Sequence, residues 1–178
     1  MASKKQQLEL FKKEKEEIYC IDASSIINLF RHSGLRYSPY PEDIFPGLWE
    51  KLEKLIKTGR LISLSHNTVL KEVRERDDEA KKWCEKHKKI FKDIDDCQIS
   101  KIEDIKTQYS KRHWEAEINR KGREWADPWV IALAICEEAL IISDEKNAPD
   151  RIPYIANHFG ITTLNLMDFF RKIGLRLK

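Results

Sequence analysis

Short apolar runs alternate along the chain with longer stretches in which apolar residues recur every three or four positions. The short runs predict strands at residues 18–22, 61–64, 140–143 and 161–166. They show no alternation of apolar and polar positions, which is typical of parallel strands covered on both faces. The pattern therefore indicates a sheet that is buried on both sides.

The longer stretches predict helices. The clearest covers residues 45–58, where an apolar stripe ends at Gly59, a residue type that helix C-termini favour. Further helices are predicted at residues 24–31, 66–90, 127–139, 153–159 and 167–173, while residues 100–122 are helical or irregular. Arg76 and Asp77 interrupt the 66–90 stripe, so that this segment can also be two helices. Strands that alternate with helices predict an α/β domain with a mostly parallel sheet.

Length and composition indicate one soluble globular domain. The 178 residues suit a single domain, which we place at residues 17–178 after a charged N-terminal extension of residues 1–16. The longest apolar stretch, residues 129–136, is too short to span a bilayer, and the N-terminus has no signal-peptide core. We therefore expect a cytoplasmic protein with no membrane partner.

The cysteines predict neither a disulfide framework nor a zinc site. Cys20, Cys84, Cys97 and Cys136 are widely spaced and form no CxxC pair. We expect each of them to be a small buried hydrophobic residue.

Basic residues are concentrated in two segments, although the net charge is only +3. The segments cover residues 81–92 and 106–123, and Tyr109, His113 and Trp114 interrupt the second one. Basic stretches with aromatic residues are typical of nucleic-acid binding, but solvated helix faces give the same pattern. Both interpretations stay open. The candidate RNA-contacting residues are Lys111, Arg112, Trp114, Arg120, Lys121 and Arg123.

Acidic residues stand at or near the ends of three predicted strands. They are Asp22, Glu72, Asp127, Asp144 and Glu145. Because sites in parallel sheets form at the carboxyl ends of the strands, we expect these side chains at one edge of the sheet. Gathered carboxylates repel one another and need a compensating cation, and all-oxygen ligands favour Mg²⁺ or Mn²⁺.

Each of these acids also has a purely structural interpretation. Asp22 can cap the helix that follows it, and Asp127 before Pro128 has the pattern of a cap with proline at the first helical position. Glu72 can pair with Arg76 one helical turn later, and the adjacent acids after the third strand suit a turn. Glu72 also lies at the flank of its apolar stripe, which directs it along the edge of the core.

Four segments resemble, in order, the motifs of PIN-domain ribonucleases. They read "YCIDASSIINLF", "SHNTVLKEV", "WADPWVIALAI" and "LIISDEKN", and the resemblance extends from about residue 17 to residue 175. The segments "FPGLWEKLEKLIKTGRLIS" and "IPYIANHFGITTLNLMDFFRKIG" resemble the DUF4411 branch in particular, which is similar to the toxin subunits of toxin–antitoxin pairs.

The resemblance implies a three-layer α/β/α sandwich that binds one or two Mg²⁺ or Mn²⁺ ions and hydrolyses single-stranded RNA. It also implies a cognate antitoxin as a partner, and toxin domains of this type are often homodimers. By matching position, the metal-binding and catalytic residues are Asp22, Glu72, Asp127 and either Glu145 or Asp144, supported by Ser24 and Ser143.

Two alternatives stay open at the level of sequence. A PIN-like fold without catalysis can bind RNA or a protein, and Glu145 at a place where the motif has Asp favours this alternative. A phosphohydrolase that acts on small molecules or DNA can use the same acids.

Overall fold

Five parallel strands form the central sheet of the protein, in the order β3-β2-β1-β4-β5. The computed structural model describes residues 16–30, 38–65, 73, 78–121 and 125–176. The strands are β1 (Tyr19–Ile21), β2 (Leu61–Leu64), β3 (Phe91–Lys92), β4 (Leu140–Ile142) and β5 (Thr163–Leu164). In the centre of the sheet, β1 pairs with β4 so that Ile21 faces Ile142.

Helices cover both faces of the sheet and make a three-layer α/β/α sandwich, as predicted. They are α1 (Ala23–Phe30), α2 (Pro46–Lys57), α3 (Asp78–Lys86), α4 (Asp96–Thr107), α5 (Lys111–Lys121), α6 (Asp127–Cys136), α7 (Ile152–His158) and α8 (Leu166–Lys172). Because crossovers between parallel strands are right-handed, the connections from β1 to β3 lie on one face. The connections from β3 to β5 run in the opposite direction and lie on the other face.

Local sequence signals explain several helix boundaries. Pro46 is the first residue of α2, a position whose N–H has no acceptor within the helix, so that proline costs no hydrogen bond there. Gly59 follows the end of the helix with a φ of 70°. Asp95 caps α4 by accepting the N–H of Gln98, and Asn165 caps α8 in the same way. These helix boundaries are therefore set by local sequence.

Helix α6 is the centre of the core. One side packs against β1, β2 and β4, and another packs against α4. This double coverage explains why its sequence is apolar on nearly every face. Ile131 and Leu133 are fully enclosed, and each such side chain contributes about 1.5–3 kcal/mol to folding.

The structure adds two features that the sequence pattern did not predict. The predicted helix at residues 66–90 ends at Lys86 in the part that is described, and a 3₁₀ turn (Lys88–Ile90) leads into the short edge strand β3. The pattern left the structure of residues 100–122 open, and the described part of this segment, up to Lys121, contains the end of α4 and all of α5. Residues 108–110 separate the two helices.

The prediction for the cysteines is half wrong. Cys97 and Cys136 form a disulfide that joins the first turn of α4 to the end of α6, with 6.1 Å between their Cα atoms. The packing of these two helices brings together residues that are 39 positions apart, which spacing in the sequence cannot show. Cys20 and Cys84 are buried and free, as predicted.

A search of the described helices finds none that combines the length and the hydropathy needed to cross a bilayer.

Candidate metal centre

The strand order places a topological switch point between β1 and β4. From β1 the chain moves to β2 on one side, whereas β4 is followed by β5 on the other side. The N–H of Asp22 donates to the carbonyl of Ile142 at 3.1 Å, so the ends of the two strands are in direct contact. Crevices at such points are the usual binding sites of open α/β sheets.

Asp22 leaves β1 at this switch point and is held by several neutral donors. The backbone N–H of Ser25 donates to its Oδ1 at 2.7 Å, which is the geometry of a cap on α1. The Ser24 hydroxyl lies 2.8 Å from the same oxygen, and the Ser143 side chain also hydrogen-bonds the carboxylate. Asp22 therefore caps the helix, and both predicted supporting serines contact it.

The Asp22 carboxylate is buried, and the described residues around it supply no balancing charge. Its residue is only 4% exposed, and none of the described lysines, arginines or histidines forms an ion pair with it. Burial raises the pKa of Asp22 to about 6, against the lowering effect of its serine hydrogen bonds, and the charge of Glu145 raises it further. At neutral pH the site therefore holds a negative charge that a cation would stabilise.

Asp144 and Glu145, the two adjacent acids after β4, contact different parts of the structure. The Asp144 carboxylate accepts from the Asn28 amide at 3.0 Å and from the N–H of Leu166 at 2.8 Å, one donor on each oxygen. Its own N–H donates to the Ser25 hydroxyl at 3.1 Å. Asp144 thus connects β4 to α1 and α8.

Glu145 lies in the loop after β4 and contacts the start of α7. Its Oε2 accepts the N–H of Ile152 at the start of α7 at 3.0 Å, and its Oε1 lies 3.3 Å from the Arg151 guanidinium. Its charge raises the pKa of both Asp22 and Tyr109. The charge of Glu145 therefore acts on Asp22, whereas both carboxylate oxygens of Asp144 accept hydrogen bonds from α1 and α8.

Asp127 is the first residue of α6 and does not cap it. The cap position belongs to Ala126, which has helical φ and ψ and makes no side-chain cap bond. The structural interpretation of Asp127 as a cap is therefore wrong, because the helical backbone reaches one residue further back. Asp127 is half-buried, and its charge raises the pKa of Tyr109.

Several predicted site residues lie outside the part of the chain that the structure describes. They are Glu72 and Arg123, together with the side chains of Arg120 and Lys121.

The described members of the predicted RNA-contacting set differ in exposure. Lys111 and Arg112 are exposed on α5, and the Lys111 ammonium lies 3.8 Å from Glu115 with 89% of the lysine side chain exposed. Trp114 is half-buried against the core, with the Lys106 ammonium 5.2 Å from its ring centroid. Tyr109 is buried, so its ring has no free face for a base.

The chemistry of the donor set fits a hard divalent cation. Asp22, Asp127 and Glu145 supply carboxylate oxygens, which Mg²⁺ and Mn²⁺ prefer. In the described chain, however, the one group of three ligand side chains within 4.8 Å is Asp95, Cys97 and Cys136, and its sulfurs form the disulfide. The ligand oxygens of Asp22, Asp127 and Glu145 do not form such a group among the described residues.

A wide groove among the described residues lies elsewhere. It has a volume of about 880 Å³ between α2 and α3, and Phe30, Trp49 and Trp83 contribute its aromatic lining. None of the acids at the switch point lines it. Its size alone does not make it the site, because the buried charge lies at Asp22.

Fold and site together define an α/β/α sandwich with a buried acid at its switch point. The chain matches the family described as "Domain of unknown function (DUF4411)" over residues 19–177 and belongs to that family. A search of curated proteins finds no match.

Proposed function

We propose that the protein is a Mg²⁺- or Mn²⁺-dependent endoribonuclease of the PIN type, and the toxin of a type II toxin–antitoxin pair. The observation that carries the proposal is the Asp22 carboxylate, which is buried at the switch point and, within the described part of the chain, is held by neutral donors. A buried charge of this kind is costly unless a ligand balances it. The resemblance of four segments, in order, to the motifs of PIN-domain ribonucleases supports hydrolysis of RNA as the reaction.

In this proposal Asp22, Asp127 and Glu145 bind the cation, together with Glu72. Ser24 and Ser143 fix the Asp22 carboxylate by hydrogen bonds, and Arg151 and the N–H of Ile152 fix Glu145. When bound, the divalent ion supplies an activated water and stabilises charge on the scissile phosphate. Exposed Lys111 and Arg112 bind the RNA backbone.

Cleavage of single-stranded RNA tests the proposal. Wild type is expected to cut RNA with Mn²⁺ and not with EDTA, and Asp22→Asn is expected to lose the activity while remaining folded. Asp43→Asn, which changes an exposed acid of the loop before α2, is the matched control. Cleavage by Asp22→Asn at the wild-type rate would refute the assignment of the site.

A second candidate is a PIN-like module that binds RNA or a partner protein without catalysis. The observation that favours it is the engagement of both Glu145 oxygens by Ile152 and Arg151, which competes with metal binding. RNA binding without cleavage under Mg²⁺, Mn²⁺ and Co²⁺ would support this candidate over the nuclease.

A further inference from the structure

The Cys97–Cys136 disulfide lies at the surface, where small thiols can reach it. Cys97 is exposed in the first turn of α4, and Cys136, the last residue of α6, is half-buried. The free cysteines differ, because Cys20 and Cys84 are only 0% and 3% exposed. Since thiol–disulfide exchange needs access to a sulfur, a reagent in solution reaches the disulfide more readily than the buried thiols.

The first turn of α4 has little packing apart from this bond. Among residues 96–101 the one buried side chain is that of Gln98, while Ile99 is 54% exposed. The Gln98 amide donates to the Asp93 carbonyl at 3.1 Å, but its Oε1 is buried without a hydrogen-bond partner in the described chain. A buried acceptor without a partner is costly, so the turn gains little from its one enclosed side chain.

The rest of the contact between α4 and α6 does not depend on the disulfide. Ile102 and Ile105 are buried in the second half of α4, whose packing within the described residues is chiefly against α6. In α6, residues 130–134 are buried in the core, ahead of Cys136. Opening of the bond therefore frees the first turn of α4 and leaves the remainder of both helices in place.

An acidic side chain lies beside the two sulfurs. An Asp95 carboxylate oxygen and the sulfurs of Cys97 and Cys136 all lie within 4.8 Å of one another. Asp95 also caps α4 by accepting the N–H of Gln98. Its negative charge opposes the approach of a thiolate and the formation of one on either cysteine, so it slows exchange at this bond without blocking access to it.

We propose that Cys97 and Cys136 are a thiol–disulfide switch, which a small thiol such as glutathione opens in the folded protein, and that opening releases the first turn of α4. The glutathione thiolate attacks the exposed Cys97 sulfur, and Cys136 leaves as a thiolate that takes up a proton. A second glutathione thiolate then attacks the glutathione sulfur of the mixed disulfide, and Cys97 leaves and is protonated in turn. Two protein thiols and one oxidised glutathione result, and excess oxidised glutathione reverses both steps. The inference does not depend on the proposed nuclease activity.

Alkylation of the full chain without denaturant tests whether the switch operates in the folded protein. Wild type is incubated in millimolar reduced glutathione, its thiols are trapped with iodoacetamide, and mass spectrometry locates the modified residues. We expect alkylation of both disulfide cysteines while Cys20 and Cys84 stay protected, and we expect oxidised glutathione to restore the disulfide. Asp95→Asn, which keeps a capping oxygen and removes the charge, is expected to be reduced roughly 2–4-fold faster.

Hydrogen exchange measures the release of α4. Reduction is expected to raise the amide exchange rate of residues 96–101 several-fold and to leave residues 102–107 and strand β1 unchanged. The variant Cys97→Ser/Cys136→Ser is the control, and its residues 96–101 are expected to exchange like those of reduced wild type whether or not glutathione is present.

Four results would each overturn the proposal. Retention of the disulfide at every glutathione ratio would show that the bond is purely structural. Alkylation of Cys20 and Cys84 as fast as Cys97 would show that reduction requires unfolding. An unchanged rate of reduction in Asp95→Asn would show that the thiol does not attack the bond in its folded surroundings. Equal hydrogen exchange of residues 96–101 in both redox states would show that opening releases nothing.

Discussion

The side-chain amide of Asn28 donates a hydrogen bond of 3.0 Å to the Asp144 carboxylate and thereby joins α1 to the end of β4. The second carboxylate oxygen accepts the N–H of Leu166 at 2.8 Å, at the first residue of α8. Both Asp144 oxygens thus accept hydrogen bonds that join elements of the fold. Glu145, whose charge reaches Asp22, is the acid that we assign to the candidate metal centre.

This assignment predicts that the two acids respond differently to substitution. Asp144→Ala is expected to lower the free energy of unfolding by about 1–3 kcal/mol, because it leaves the Leu166 N–H and the Asn28 amide without their acceptor. Its Mn²⁺ affinity is expected to match wild type. Glu145→Gln, which keeps an oxygen for Ile152, is expected to weaken Mn²⁺ binding with little loss of stability.

A double-mutant cycle with Asn28→Ala provides the control for Asp144. We expect a coupling on the order of 1 kcal/mol between the two residues in urea unfolding. Loss of Mn²⁺ binding in Asp144→Ala, with normal binding in Glu145→Gln, would reverse the assignment.

The buried Asp22 carboxylate predicts a pH dependence of stability in metal-free protein. Its pKa is about 6 in the folded protein against an ordinary value of 3.8, so folding favours the protonated acid. The stability contribution of Asp22 is therefore complete below pH 4 and is lost as the pH rises through 6. The loss amounts to about 3 kcal/mol, since one pKa unit corresponds to about 1.4 kcal/mol.

Comparison with Asp22→Asn isolates this effect from other titrating groups. In EDTA, the variant is expected to gain stability relative to wild type between pH 4 and pH 6, and Mn²⁺ at pH 7 is expected to stabilise wild type alone. Urea unfolding at unit pH steps measures the difference. If the difference in free energy of unfolding between the variant and wild type is constant from pH 4 to pH 8, ionisation of Asp22 does not destabilise the folded protein.

The disulfide predicts a large effect of reduction on stability. Cys97 and Cys136 close a loop of 39 residues, and loop entropy alone gives a stabilisation of about 4 kcal/mol. Dithiothreitol is therefore expected to lower the free energy of unfolding of wild type by about 2–4 kcal/mol. The double variant Cys97→Ser/Cys136→Ser should be insensitive to dithiothreitol. Four free thiols in the unreduced, denatured protein would exclude the disulfide.

The exposed basic residues of α5 predict a change in the salt dependence of RNA binding. In EDTA, where no cleavage is expected, Lys111→Ala/Arg112→Ala should bind single-stranded RNA with a salt slope less steep by about 1.4, or about 0.7 per lost phosphate contact. Lys54→Ala/Lys57→Ala removes the same charge from exposed residues of α2, outside both basic segments, and is the control. A wild-type slope in Lys111→Ala/Arg112→Ala would show that these residues do not bind the phosphates.

The sequence pattern was sufficient for the elements whose signal is local. Four strands lie within short, mostly apolar runs, and glycines such as Gly59 mark helix ends with a positive φ. Strand β3 has only two residues and follows a lysine-rich turn, so its pairing with β2 is not visible in the sequence. At the start of α5 the Ser110 hydroxyl accepts the N–H of His113, which is a local signal, whereas the bond from the Ser110 N–H to Asp150 spans 40 residues.

Long-range contacts also decide the parts of the candidate site that the sequence left open. Asp22 and Ser24 could be predicted together, because a helix cap and a sequence motif both involve residues within one helical turn. The choice between Asp144 and Glu145 needed Asn28, which is 116 residues away. Tyr109 was noticed only as an aromatic residue in a basic segment, because its burial against Trp125 depends on how distant parts of the chain pack together.

The central claim is that Asp22 holds a divalent cation, and anomalous X-ray scattering from crystals soaked in Mn²⁺ tests it most directly. We predict an anomalous peak at ligand distance from a carboxylate oxygen of Asp22, with Glu145 or Asp127 turned toward the same ion. Crystals of Asp22→Asn soaked in the same way should lack the peak. Wild-type crystals that contain bound Mn²⁺ only at other positions, or none at all, would contradict the claim.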